Sequence, residues 1–163
     1  MSLARGHLFI IAIAALNYAI MVVYSTPKLL TAADGLWPFD IRVMGYTVEE
    51  ATQYVSTITP EGRAYYLSVE RTLDTVFPAL LAISLMITLY RLAPKLPALY
   101  LFPVSGALFD YYENASVVQM LQTNAPDKAL VEMASLLTVL KFASIAISVL
   151  AILWLWRKRK ANG

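Results

Sequence analysis

The chain has no cysteine and a single histidine, His7, among its 163 residues. The first absence excludes disulfides, thiol catalysis and the membrane redox bundles that pass electrons through cysteine pairs. The second leaves a metal ion only carboxylate ligands, so neither a zinc nor a haem site is expected, and no cofactor is implied. Charge is scarce as well. Asp, Glu, Lys and Arg make up 15% of the residues with a net charge of +2, and the basic residues form no stripe, which argues against nucleic acid as a partner. Internal repeats, low-complexity tracts and a second domain are also missing. What is abundant is apolar: 59% of the residues are hydrophobic and the mean hydropathy is +0.61, outside the range of soluble domains. The expectation is one integral membrane domain over residues 1–163, in contact with the lipid bilayer.

Four stretches, about residues 7–24, 67–92, 97–122 and 129–156, can each cover a hydrocarbon core of about 30 Å at about 1.5 Å per residue. The expected fold is all-α, a bundle of four transmembrane helices with a structured outer loop over residues 25–64. Arg5, the Arg91 and Lys95 turn, and the tail Arg157-Lys158-Arg159-Lys160 fall on one side, which predicts cytoplasmic N- and C-termini. Lys28, Arg42, Arg63 and Lys128 on the other side are more dispersed. Tyr24, Tyr65 and Tyr66 on the outer side, and Tyr90, Tyr100, Trp154 and Trp156 on the inner, suit aromatic belts. Arg5 and the apolar run after it also resemble a secretory signal, but the run is too long and lacks a cleavage site, so it reads as a span.

In the loop, Thr47 and Glu50 fit a capping box, and Val48, Ala51, Val55 and Ile58 recur at helical spacing, which predicts a short amphipathic helix. Thr59-Pro60-Glu61 then restarts a helix, with Thr59 as cap and Pro60 in the first turn. Trp37, Pro38 and Phe39 are expected to anchor the loop at the membrane interface. The loop is either a cap that shields helix ends or a lid over a cavity.

The informative residues are the polar ones inside the apolar runs. Asp110, Glu113 and Asn114 lie i, i+3, i+4 on one helix face, and Lys141 lies mid-run in the last span. Ionisable groups at that depth cost about 2.5 kcal/mol or more each unless paired or facing a polar interior. Counting from the boundaries puts Asn17, Asp110 and Lys141 near the midplane, which makes Asp110 and Lys141 the expected ion pair. Glu70, Arg71 and Asp74 fall one to two turns from the outer surface, near Glu113, so Arg71 is expected to bridge carboxylates there. Arg71 and Lys141 against Asp74, Asp110 and Glu113 leave one carboxylate in excess. Pro78 cannot donate to the carbonyl of Asp74, and Pro103 with Gly106 can bend the third helix below Asp110. The candidate site is thus Asn17, Arg71, Asp74, Asp110, Glu113, Asn114 and Lys141. Tyr111 and Tyr112 read as packing or hydrogen-bonding groups.

The segments Gly45-Tyr46-Thr47-x-Glu49-Glu50-Ala51, Pro60-Glu61-Gly62-Arg63-x-x-Tyr66, Asp74-x-x-Phe77-Pro78, Phe109-Asp110-x-x-Glu113-Asn114 and Thr138-x-x-Lys141 resemble a family of small four-span bacterial membrane proteins with no known activity. The resemblance covers residues 45 to about 142 and implies a bacterial inner membrane. Topology, and acidic residues followed by proline in the second span, are also similar to the EXPERA group of sterol-handling membrane proteins.

Three functions suit these residues. The first is a buried polar site in the outer half of the bundle that binds a lipidic or amphipathic small molecule. The second is an accessory or assembly subunit, a homo-oligomer or one docked to another membrane protein, in which the charges pin helix register. The third is a proton-coupled transporter, for which the inner half offers few polar residues, chiefly Ser84, Thr88, Ser105 and Ser148. Nothing marks an enzyme: a carboxylate isomerase would need only the acids already named, but no nucleophile or cofactor motif accompanies them.

Overall fold

The computed structural model describes residues 3–161, which form five helices and no strand. They are α1 (Leu3–Ala32), α2 (Val48–Thr57), α3 (Pro60–Leu92), α4 (Leu101–Thr123) and α5 (Lys128–Ala161). Three of them, α1, α3 and α5, are long and apolar enough to cross a membrane. At about 1.5 Å per residue the 23 residues of α4 reach about 35 Å, but Asp110, Glu113 and Asn114 near its middle dilute its apolar character. Each long helix packs antiparallel to the next, α1 on α3, α3 on α4 and α4 on α5, and α3 also touches α5.

The helices run further than the hydrophobic pattern indicates. Residue 25 does not begin a loop: α1 continues to Ala32 through a wide π turn over Met21–Ser25, in which the amide of Thr26 donates to the carbonyl of Met21. Pro27 follows immediately, lacks an N–H and would crowd a regular turn, and the widened turn accommodates it. A second π turn, Tyr66–Glu70, lies within α3, which starts at Pro60 rather than 67. The non-helical part of the expected loop therefore shrinks to residues 33–59, with α2 inside it.

That segment is folded. The Thr47 and Glu50 capping box is formed in both directions, at 3.2 and 2.7 Å, and the Thr59 hydroxyl accepts from the amide of Gly62 at 3.1 Å. Gly62 is required by close approach, because a Cβ there would collide with the side chain of Ala32 at the end of α1. The neighbouring Arg63 donates to the carbonyls of Val55 and Leu121 and to Asn124 Oδ1, at 2.6 to 2.7 Å. It thereby places a cation at the C-terminal ends of α2 and α4, where the helix dipoles favour one.

Under the segment lies the main core. Phe39 is fully buried, with the rings of Tyr46 and Tyr54 each 4.9 Å away, among Leu29, Val55, Met120, Leu121 and Val131. Of the three expected interfacial anchors, only Trp37 is strongly exposed; Phe39 is instead the centre of the cap, since its ring turns inward at the short 3-10 turn Phe39–Ile41. At the far end of the helices a second core is small, Leu89, Ala93 and Leu155. Long stretches of α1, α4 and α5 expose Leu, Ile, Val and aromatic side chains outward.

Candidate functional site

Between the two cores the helices bury polar groups. Along α3 every fourth residue from Tyr66 points inward, giving Tyr66, Glu70, Asp74, Pro78 and Ala82. The buried line of α4 includes Gly106, Asp110, Glu113 and Val117, and that of α5 Ala134, Thr138, Lys141, Ser144 and Ser148.

Lys141 is the centre. Its Nζ lies 2.6 Å from Glu113 Oε2 and 3.2 Å from Asp110 Oδ1, with all three side chains almost inaccessible. The expected Asp110–Lys141 pair is present, but the shorter contact is to Glu113, because i and i+3 on α4 both face the same point on α5. Thr138, one turn before Lys141, donates to Glu113 Oε1 at 2.6 Å. Asn114 Nδ2 lies 3.4 Å from Asp110 Oδ1 and 3.4 Å from the carbonyl of Asp74. That carbonyl is the one Pro78 leaves without its helical donor, so a side chain from α4 supplies the missing hydrogen bond. One residue on, the hydroxyl of Tyr111 donates to the carbonyl of Thr75 at 3.0 Å, a second link from α4 to α3 beside the proline.

Two expected members stand apart. Arg71 is exposed, lines an outward groove with Leu67, Ser68 and Thr75, and makes no ion pair among the described residues, so it bridges no carboxylates. It follows Glu70 directly, and one residue is a turn of about 100° around the helix, which sends Arg71 outward when Glu70 and Asp74 face in. Asn17 is buried but donates to the carbonyl of Leu73 at 3.3 Å, tying α1 to α3 rather than joining the cluster.

Two acids join instead. Glu70 is buried and accepts from the hydroxyl of Ser25, which joins the π turns of α1 and α3 side by side. Asp40, in the cap, accepts from the hydroxyl of Tyr66 through Oδ2 while its buried Oδ1 has no partner. Above Lys141, Tyr46 is seated by its backbone N–H, which donates to Ser135 Oγ at 2.8 Å, and by Gly45, whose positive φ and contact with that same hydroxyl exclude a side chain. Burial, then the charges of Glu113 and Asp40, hold the Tyr46 phenol above its ordinary pKa, so it stays protonated beside Thr138.

Glu70 was legible as the i−4 neighbour of Asp74. Asp40 carried no local signal, since what buries it is a fold of the loop over α3. With both included and Arg71 removed, five buried acids, Asp40, Glu70, Asp74, Asp110 and Glu113, are set against one buried Lys or Arg among the described residues, Lys141. The excess is four carboxyls rather than one.

The space beside them is small. A crevice lined by Pro78, Ala82, Pro103, Gly106 and Asp110 holds about 10 Å³, on the order of one water. The larger hollows, about 290 to 520 Å³, open on the outer faces of the helices and the loop and touch none of the five acids. Chemically the arrangement can hold protons, a small cation or a water, with the ammonium of Lys141 fixed between two carboxyls. No family model, curated protein or solved structure matches the chain.

Proposed function

We propose that the protein is a four-span integral membrane protein of a bacterial inner membrane, with both termini cytoplasmic, whose working part is a proton-exchanging acid cluster under the outer cap. The orientation rests on the clustering of Arg91, Lys95 and the Arg157–Lys160 tail at one end. In this reading α4 crosses the bilayer with α1, α3 and α5, its acids shielded from lipid because they face α3 and α5.

The carrying observation is the imbalance, among the described residues, of five buried acids against one buried lysine and no buried arginine. Four uncompensated carboxylates buried together would each cost several kcal/mol, so most of the acids must be neutralised, and protons are the neutralising species that needs no room. The crevice of about 10 Å³ favours protons over a lipidic ligand at this cluster. Protons reach it from the cap side, where Asp40, Tyr66, Glu70 and Ser25 form a polar series above Asp74 and Asp110. A partial path continues inward through the buried Ser84, Ser144, Ser148 and His7, which is the segment a proton-coupled carrier requires.

The assembly-subunit reading retains one specific support. Val43 and Met44 at the tip of the cap are exposed, Met44 almost completely, and an apolar loop tip of that kind suits a protein partner.

Infrared titration of the protein in lipid vesicles tests the proton reading. The protonated-carboxyl band should grow as pH falls, Asp74→Asn and Glu113→Gln should each remove part of the change, and a trapped pH dye should report proton entry that Asp110→Asn slows. A carboxyl band that does not respond to pH, together with no proton entry above protein-free vesicles, would leave the cluster a fixed structural network and favour the assembly subunit. In the same vesicles, right-side-out, Thr57→Cys should react with an impermeant thiol reagent and Ala161→Cys should not.

A further inference from the structure

At the end of the molecule opposite the cap, α1, α3 and α5 surround a groove of about 470 Å³, within the range of a small-molecule site. Leu92, Ile152, Leu153 and Trp156 form its apolar walls, and His7, Thr88, Arg91 and Arg159 its polar end. His7 reaches it from α1, with both ring nitrogens engaged. Nε2–H donates to the carbonyl of Ser84 at 3.0 Å, which leaves Nδ1 to accept from Arg91 Nη1 at 3.3 Å. The ring thus acts as a prop that fixes where the Arg91 guanidinium sits.

The lining contains no acid, and neither Arg91 nor Arg159 makes an ion pair among the described residues. Two guanidiniums at one end of an apolar trough complement a ligand with an anionic, oxygen-rich head and a hydrocarbon tail. A planar fork suits phosphate oxygens, and the apolar walls lie on helices whose outward faces are Leu, Val and Trp. Lys158, by contrast, lies over the ring of Trp154, outside the groove.

We propose that this groove binds one anionic phospholipid, with its phosphate on Arg91 and Arg159 and an acyl chain along Leu92, Ile152, Leu153 and Trp156. The site is separate from the acid cluster and needs only the membrane reading, so it stands or falls independently of proton exchange. It differs from a general affinity of the basic tail for anionic surface, because it assigns the selectivity to two arginines from different helices and gives the chain a track.

Native mass spectrometry of the detergent-solubilised protein with added phosphatidylglycerol or phosphatidylcholine of matched chains provides the test. Phosphatidylglycerol should be retained at least about tenfold more tightly, and Arg91→Gln with Arg159→Gln should abolish that preference. Lys158→Gln should change it less than about twofold. Leu153→Trp, which narrows the trough and leaves the charges in place, should weaken both lipids. Equal retention of the two lipids by the wild type would overturn the proposal, and so would a loss from Lys158→Gln as large as that from the arginine pair. Unchanged melting of each variant shows that the loss is one of binding and not of folding.

Discussion

The cap end and the tail end of this molecule share the same long helices and differ in almost everything those helices bury. At the cap end, α2 and the segment around Phe39 cover the helix ends, and the buried set includes Phe39, Tyr54, Met120 and Leu121 together with Asp40, Glu70, Asp74, Asp110 and Glu113. At the tail end no comparable segment covers the helices among the described residues. The buried apolar set there is Leu89, Ala93 and Leu155, and the charged groups that line the groove are Arg91 and Arg159. The difference suits the proposed membrane setting, because a bilayer gives apolar side chains no reason to gather inside: lipid tails suit them equally well, and packing and polar contacts must hold the helices together. The cap end has acids to shield and a folded segment that covers them, and it builds a core. The tail end buries fewer apolar side chains and leaves a groove between its helices.

If this contrast is real, the largest loss of stability comes from the hub of the acids. Lys141→Met removes the sole buried cation beside Asp110 and Glu113 and should cost about 3–5 kcal/mol, seen as a lowered melting temperature in detergent. Adding Asp110→Asn and Glu113→Gln to that variant should recover part of the loss, since the stranded acids go with it. Strictly additive losses would mean that the three side chains do not act as one group.

The two apolar cores supply the next comparison. Phe39→Ala should cost about 3–5 kcal/mol, while Leu89→Ala, in the small core at the tail end, should fall nearer the lower bound of about 2–5 kcal/mol. Amide exchange sharpens the result: Phe39→Ala should expose the amides of α2, and Leu89→Ala should leave them protected. The opposite order of melting temperatures would remove the cap from its place as the main folded core.

The smallest expected effect falls on Arg71. It lies beside the acid series in sequence but is exposed, so Arg71→Gln should shift stability by no more than about 0.5 kcal/mol. A loss comparable with that of Lys141→Met would return Arg71 to the cluster and restore the smaller charge imbalance.

Much of the site was readable residue by residue. Asp110, Glu113 and Asn114 share a face at i, i+3 and i+4, and the structure brings all three to Lys141 and the Pro78 break. The capping box at Thr47 and the helix start at Thr59-Pro60 were equally legible, because caps are local hydrogen bonds between residues three apart. The misplacements share a cause as well. Whether Glu70 or Arg71 faces inward depends on helix phase, which the inward Asp74 four residues after Glu70 sets, while the π turn at Tyr66–Glu70 that extends α3 leaves no mark in the hydrophobic pattern. The extension of α1 past Ser25 was hidden in the same way, behind Pro27.

The amino-acid sequence by itself determined that the chain is helical, that it carries long apolar stretches, four by that reading where the structure has three helices long and apolar enough to cross a membrane, and that α4 and α5 carry acids and a lysine at matching positions, since these follow from composition, period and spacing along single helices. Tertiary structure alone decided which charges meet. Asp40 enters the cluster because the cap folds Phe39 inward over α3, Glu113 rather than Asp110 takes the shortest contact to Lys141, and Arg91 faces a groove because His7 on α1 holds it there. These are distances between helices, and no periodicity within one helix encodes them; they arise when packed backbones bring side chains far apart in sequence within hydrogen-bonding range.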